Sequence, residues 1–272
     1  MTSVTRHNQI SSTCILSSVV TRVKMRYALP MDTATTPSRR DRARAATMAE
    51  IKQTALGLMH EQGNTDIRFS DIARAMGLTP PALYRYYADR DELLTDMITD
   101  AYRDLGAALV VPVHTQEPTD PQSHLLLVAG AYRAWALDDP QRFALIFGPP
   151  VPGYAAPEEG PTVEAAQGAM ANLAAVVHRA AAQGVLGEPI VNAVEAETLA
   201  SLEAEEKSEA VGGGLSPATH QAMLHAWAAL HGFVCLEAYG HLDWFTPAAR
   251  EGLFHTQVQL AGLAMGFDRP LS

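Results

Sequence analysis

The sequence predicts an all-α protein, and three observations carry that reading. Alanine is abundant and β-branched residues seldom run together, which favours helix over strand. No stretch alternates apolar and polar residues with the period of a half-buried strand. Helix openings recur as a capping residue followed by proline, at Thr79-Pro80, Asp139-Pro140, Ser216-Pro217 and Thr246-Pro247. In each pair the side-chain oxygen can accept a free first-turn N–H, and the proline ring is pre-shaped for the first helical position. With 272 residues, 47% of them apolar, the chain can bury a substantial core as one large domain or two modest ones.

Residues 1–40 read as a disordered tail, because Ser and Thr are frequent and no periodicity is sustained. Met25 and Met31 offer alternative starts. Ile10–Val23 is too polar for a secretory signal and lacks a small-residue cleavage site. Arg39, Arg40, Arg42 and Arg44 then cluster as a basic arm suited to a phosphate backbone or a minor groove; a solvated helix start is the alternative. The first helix is expected over about Arg42–Gln62, with Met48, Ile51, Ala55, Leu58 and Met59 on one face and Gly63 ending it. Asn64-Thr65-Asp66 is a turn.

The stretch Phe69–Asp91, FSDIARAMGLTPPALYRYYADRD, reads as two short helices joined by a tight turn, then the start of a longer helix. Ser70 is the expected N-cap, with Ile72, Ala73 and Met76 facing inward. Gly77 ends the helix because glycine enters the left-handed conformation without a side-chain penalty. Leu78 is expected to plug the space between the two helices. Thr79 caps the second, over about Pro80–Tyr87. It turns Ala82, Leu83 and Tyr87 inward and leaves Tyr84, Arg85 and Tyr86 outside. A short helix with an exposed Tyr-Arg-Tyr set suits a DNA major groove, where such side chains reach phosphates and base edges. A plain helical hairpin with a solvated aromatic patch is the competing reading.

The next helix opens near Asp89, with Arg90 in its first turn and Leu94, Ile98, Ala101, Leu105 and Leu109 inward. Val111–Pro121 is expected as a connection. Ser123–Leu137 is apolar around most of its circumference and should be central. A short helix follows Pro140 to Phe147, and Gly148–Tyr154 cannot continue it. Pro161–Gln183 is alanine-rich. Residues 187–214 carry seven glutamates and one lysine between Glu188 and Glu209, then Gly212-Gly213-Gly214, and read as an exposed helix or mobile acidic insertion. The last two helices, about 216–239 and 247–266, have broad apolar surfaces. Leu224, Trp227, Leu230, His231, Val234 and Leu236 supply the first, and Leu253, Phe254, Val258, Ala261 and Met265 the second.

The run IARAMGLTPPALYRYYADRDELL resembles the DNA-binding signature of the TetR/AcrR-type transcriptional regulators over about Ala43–Leu105, with Tyr87 where phenylalanine is commoner and Arg90 where lysine is commoner. Trp227, His231 and Gly232, and Pro140-x-x-Phe143 with Phe147-Gly148-Pro149, are similar to a C-terminal domain subgroup named for its Trp-His-Gly signature. The resemblance implies a helix-turn-helix head and a homodimer through the last two helices. The second implication agrees with the DNA argument, since a two-fold dimer reads two half-sites about one helical turn apart.

Charge supports this division. Residues 1–95 carry 13 Lys/Arg and 9 Asp/Glu, or +4; residues 96–272 carry 7 and 21, or −14; together they give the net charge of −10. The basic end suits DNA and the acidic remainder a solvated sensing part. Cys14 and Cys235 are the two cysteines, with no metal spacing. They fit reduced thiols in the cytoplasm. No apolar run approaches the roughly 18–20 residues that span a bilayer, so no membrane partner is expected. Neither a catalytic constellation, a metal site nor a cofactor motif is found.

The expected architecture is therefore a tail at 1–40 with a basic arm, a DNA-binding head at 41–92, and a helical ligand-binding and dimerisation domain at 93–272. The expected function is a homodimeric, ligand-responsive repressor. An activator with the same head, or a helical small-molecule-binding protein or enzyme that has lost DNA binding, are the alternatives. Ser70, Thr79, Tyr84, Tyr86 and Arg90 are candidates for phosphate contacts, and Pro80, Pro81 and Ala82 for base methyl groups. Arg85 would read guanine, with Arg40, Arg42 and Arg44 as the arm. A small, largely apolar effector would meet Trp135, Phe143, Phe147, Trp227 and His231.

Overall fold

Ser38 opens the first helix of the computed structural model, which describes residues 38–115, 120–207 and 215–267. Ser38 Oγ accepts the Asp41 N–H at 3.2 Å, and the Asp41 carboxylate accepts the Ser38 N–H at 3.1 Å. This reciprocal pair satisfies two orphan donors and starts α1 at Arg39, running to Gln62. The helix begins before the expected Arg42. Arg40, Arg42 and Arg44 thus stand on a helix and not on a flexible arm. The expected tail, Cys14 included, lies outside the described residues apart from its last positions.

Two short helices follow, α2 (Phe69–Ala75) and α3 (Pro80–Leu83). Ser70 sits inside the first turn of α2 and is not its cap; Arg68 holds the cap position without a side-chain bond. Gly77 has φ +64°, and this left-handed turn brings the Leu78 N–H onto the Ala73 carbonyl at 2.8 Å. Leu78 is not the plug, being 36% exposed; Leu83 and Tyr87 fill the space, at 0% and 2%. Helix α3 is also shorter than the expected Pro80–Tyr87, because Tyr84–Tyr86 turn away from α-helical pairing.

Helix α4 (Arg90–Thr115) continues through Pro112. The helix therefore takes in residues 111–115, the first part of the expected connection. A proline removes one rung of the ladder, and the extensive packing of α4 along α7 (Pro161–Ala182) holds the rest of the helix. A buried Thr99–Thr162 hydroxyl pair at 2.7 Å joins these two helices.

The central element is α5 (Pro121–Asp138), which packs on α4, α6 (Pro140–Phe147), α7, α9 (Pro217–Ala238) and α10 (Pro247–Ala264). Arg133 on α5 ion-pairs with Glu237 on α9 at 2.6 Å and with Glu251 on α10, and lies 4.7 Å from the Phe254 ring centroid. The described part of the acidic insertion is tied down. Gly187 and Ile190 donate N–H groups to the Gly266 and Ala264 carbonyls at 2.8 and 3.2 Å. Ala196–Lys207 forms α8, and Leu202 is buried. Backbone pairing and one apolar anchor thus offset the self-repulsion of the glutamates. Gly212-Gly213-Gly214 lies outside the described residues.

Candidate functional site

Helix α3, the helix expected to read DNA and called the reader below, begins where two prolines set the backbone. Thr79 is exposed and makes no capping bond. Pro80 and Pro81 are exposed beside it, and Ala82 is half-buried. Tyr84 is 57% exposed and leans on the Phe69 ring, centroids 5.3 Å apart. Arg85 is exposed; Ser70, Arg40 and Arg42 are exposed on α2 and α1. Tyr86 is half-buried, with the Arg44 guanidinium 5.3 Å from its ring centroid.

The inner side of the head is pinned to α4. Tyr87 donates its hydroxyl to Asp96 at 2.7 Å. Burial and this carboxylate push the phenol far above its ordinary range. Lys52 on α1 reaches Asp96 at 3.1 Å and also Asp100. Burial alone would lower the Lys52 pKa, but hydrogen bonds to Asp100 and Asp96 outweigh it and raise the value.

Two arginines expected to face phosphates have protein partners. Arg44 donates to the Arg85 and Tyr86 carbonyls at 2.7 and 3.2 Å. Arg90 donates to the Ile67 carbonyl, the Asp66 carboxylate and the Pro152 carbonyl at 2.8, 2.8 and 3.1 Å. Sequence reasoning missed both sets, because a guanidinium bound to distant backbone leaves no local pattern.

A second candidate site lies in the helical body. Helices α7 and α9 both pack on α5 but scarcely on each other. The gap is a cavity of about 100 Å³, where one water needs about 10–15 Å³. Leu125, Val128 and Tyr132 of α5 form its floor, Met170 and Val177 one wall, Met223, Trp227 and Leu230 the other, and Met265 closes an end. Of the five aromatic and histidine candidates, only Trp227 lines it. Trp135, Phe143, Phe147 and His231 do not, for a physical reason: they stack among themselves and on Tyr132. Phe147 lies 5.4 Å from Phe143 and 5.0 Å from His231, and Phe143 is fully buried. Of the three methionines only Met265 stands among the expected apolar positions, and a gap between two helices has no sequence period.

The cavity wall is uncharged. Tyr132 hydroxyl and His231 Nδ1 are 2.7 Å apart, and His231 stacks on Trp227 at 5.2 Å. Burial pushes the Tyr132 phenol up and the His231 imidazole down, so this pair is neutral near pH 7. Among the described residues no group of three His, Cys, Asp or Glu is placed to hold a metal ion, and no helix is long and apolar enough to cross a membrane.

Helix α6 links the two sites. Its capping residue Asp139 meets His60 of α1 at 3.0 Å. The loop after it supplies the Pro152 carbonyl to Arg90 and the Tyr154 hydroxyl to Thr95 at 3.1 Å. Between these ends, Phe147 lies 6.2 Å from both Tyr132 at the cavity and Tyr102 on α4.

Residues 44–97 match the family model for bacterial regulatory proteins, tetR family, and residues 125–261, half of the chain, match the tetracyclin repressor-like C-terminal domain. The chain is 39% identical over 122 residues to HTH-type transcriptional regulators of Mycobacterium bovis and Mycobacterium tuberculosis, covering 44% of itself and 51% of each relative. It thus spans about half the length of these curated relatives. Among solved structures, it resembles the regulatory protein SCO4313 with 33% identity and a TM-score of 0.63, over 83% of this chain and 98% of that one. It also shares its fold with a protein of unknown function from Rhodococcus sp. RHA1, at 23% identity and a TM-score of 0.56, over 86% and 99% of the two chains.

Proposed function

The chain belongs to the tetR family of bacterial regulatory proteins, and we propose that it is a DNA-binding transcriptional regulator, acting in the cytoplasm as a homodimeric repressor released by a small, uncharged, largely apolar effector. The division at residues 41–92 and 93–272 is part of this reading. Helix α3 enters the major groove of a double-stranded operator, and Arg85 reads guanine through its paired donors. Ser70, Thr79, Tyr84 and Tyr86 meet phosphates, with Arg40 and Arg42 beside them. Pro80, Pro81 and Ala82 approach base methyl groups. Arg90, already holding three acceptors, ties head to body in this scheme.

Dimerisation through α9 and α10 is supported by their unpartnered leucines. Leu236, Leu253 and Leu260 are 47%, 40% and 56% exposed, a costly display for a lone chain. Two copies meeting there would bury them as a four-helix bundle and hold two reader helices at a set separation.

The observation that carries the ligand-responsive reading is α6, tied to the DNA head at both ends and stacked through Phe147 against the cavity residue Tyr132. An effector wedged between α7 and α9 presses on Tyr132, displaces Phe147 and moves α6. His60 and Arg90 follow, and the separation of the readers changes. Reversing a 99:1 preference takes about 5.5 kcal/mol of differential binding.

The test is a mobility shift of the full chain with duplex DNA from upstream of its own gene, at two salt concentrations. A discrete, competitor-resistant shift that weakens steeply with salt is expected, and uncharged aromatic compounds should then release it. A folded dimer that prefers no sequence, including after selection from random DNA, would defeat the proposal.

A further inference from the structure

The reader helix is too short to hold its own end. Four residues form no self-sustaining ladder, and the N–H groups after it bond weakly or locally: Arg85 to the Ala82 carbonyl at 3.4 Å, Tyr86 to Leu83 at 2.8 Å, Tyr87 to Leu83 at 3.1 Å. The carbonyls of Arg85 and Tyr86 must find donor partners elsewhere. Both are taken by one side chain, Arg44, more than forty residues earlier on α1. Its Nη1 and Nη2 reach them at 2.7 and 3.2 Å, while its central carbon lies 5.3 Å from the Tyr86 ring centroid.

We propose that Arg44 is a positioning residue for base readout. It holds the main chain of Arg85, the residue assigned to guanine, and through that backbone sets the aim of the Arg85 guanidinium. A paired contact to a base edge tolerates an error of only about 0.5 Å or 10–20°. A terminal turn free to fray would exceed that. The planar fork of Arg44 spans two successive carbonyls while its charge sits over an aromatic ring; a lysine ammonium offers one compact donor group and cannot do the same. Arg44 therefore acts on which sequence is bound more than on how strongly DNA as a polyanion is held.

This inference rests on the DNA-reading function proposed above, and the experiment separates the two. The wild-type chain first selects its preferred duplex from a random pool. Affinities of wild type, Arg44→Lys and Arg44→Ala are then measured for that duplex and for a shuffled duplex of equal length and composition, each over a range of salt. Circular dichroism melting checks that each variant folds, and the lysine variant serves if the alanine variant does not. Both variants should lose about tenfold or more on the selected duplex, the scale of lost hydrogen bonds from a charged donor. Both should stay within about twofold of wild type on the shuffled one, with an unchanged salt slope. A phosphate role predicts the opposite: near-wild-type binding for Lys, and for Ala an equal loss on both duplexes with a slope smaller by about 0.9. Either that pattern or an unchanged preference in both variants overturns the proposal. A wild-type chain that selects no sequence overturns the reading beneath it as well.

Discussion

The head and the body are held together by different forces. In the head, three cations of α1 and α4 bind acceptors far away in sequence: Arg44 at the end of the reader, Arg90 at the turn before α2, and Lys52 on the α4 carboxylates. In the body, α5 is wrapped by apolar helices and aromatic rings, and one contact is left incomplete, between α7 and α9. Directional bonds to backbone fix angles. Apolar packing fixes volume but lets helices slide until the volume is filled. A reader must present side chains at fixed angles, whereas a sensor must keep a space that something else completes. On the proposed function, the contrast places rigidity and responsiveness at opposite ends of one chain.

The largest expected effect tests whether the body is tightly packed away from its gap. Phe143 is fully buried, with ring centroids of Phe147, His231, Tyr239 and Tyr132 between 5.4 and 6.4 Å away. Phe143→Ala should cost about 3–5 kcal/mol in denaturant unfolding, since neighbouring rings cannot collapse into the hole. A cost below about 1 kcal/mol would mean that α6 rests loosely on the body, and the coupling assigned to it would fail with the contrast.

The two regions also differ in how far they can be read from sequence. The turn at Gly77 and the prolines at the start of α3 are legible because the relevant chemistry is local: a left-handed residue, a fixed φ, a helical spacing of inward positions. Errors there concern partners beyond the local window. Ser70 yields the cap to Arg68, Leu78 is exposed, and α1 starts at the Ser38-x-x-Asp41 box that the arginine cluster obscured. The cavity was legible only as a general expectation. Large aromatics such as Phe143 and Phe147 suggest a pocket, yet they fill space, and the space left open is bounded by Val128, Met170, Met223 and Leu230. Scarcity of contact between two helices is a property of their packing and not of either segment.

A smaller effect sharpens the boundary between head and body. The Arg90 side chain is 24% exposed and satisfies two carbonyls and one carboxylate. Arg90→Met keeps the stem and removes every donor. It should destabilise the chain by about 1–3 kcal/mol, mainly because the Ile67 carbonyl loses its bond in a half-buried setting. Hydrogen exchange should rise first in the head, around residues 66–72, while α5 and α7 stay protected. Equal loss of protection in both regions would show that they unfold as one unit and that the contrast is one of architecture without independent stability.

The smallest effect comes from protons, and it should fall on the body. His124, His178 and His231 stand on α5, α7 and α9. Burial lowers the pKa of each, with Arg179 adding to the effect on His124 and His220 to that on His178. The unfolded chain takes up these protons near pH 6.5 whereas the folded chain resists them. Stability is therefore full above about pH 6.5 and falls as pH drops below it, until the depressed folded values are reached. The loss is at most about 1.4 kcal/mol per histidine for each pH unit. Urea unfolding at pH 7.5 and 5.5 measures the sum, and His124→Gln with His178→Gln should flatten the difference. Because this penalty acts where α5, α7 and α9 meet, mild acid should loosen the cavity walls before the reader. Exchange at pH 5.5 should then rise in those helices ahead of α1 to α3, and the reverse order would place the weaker region in the head.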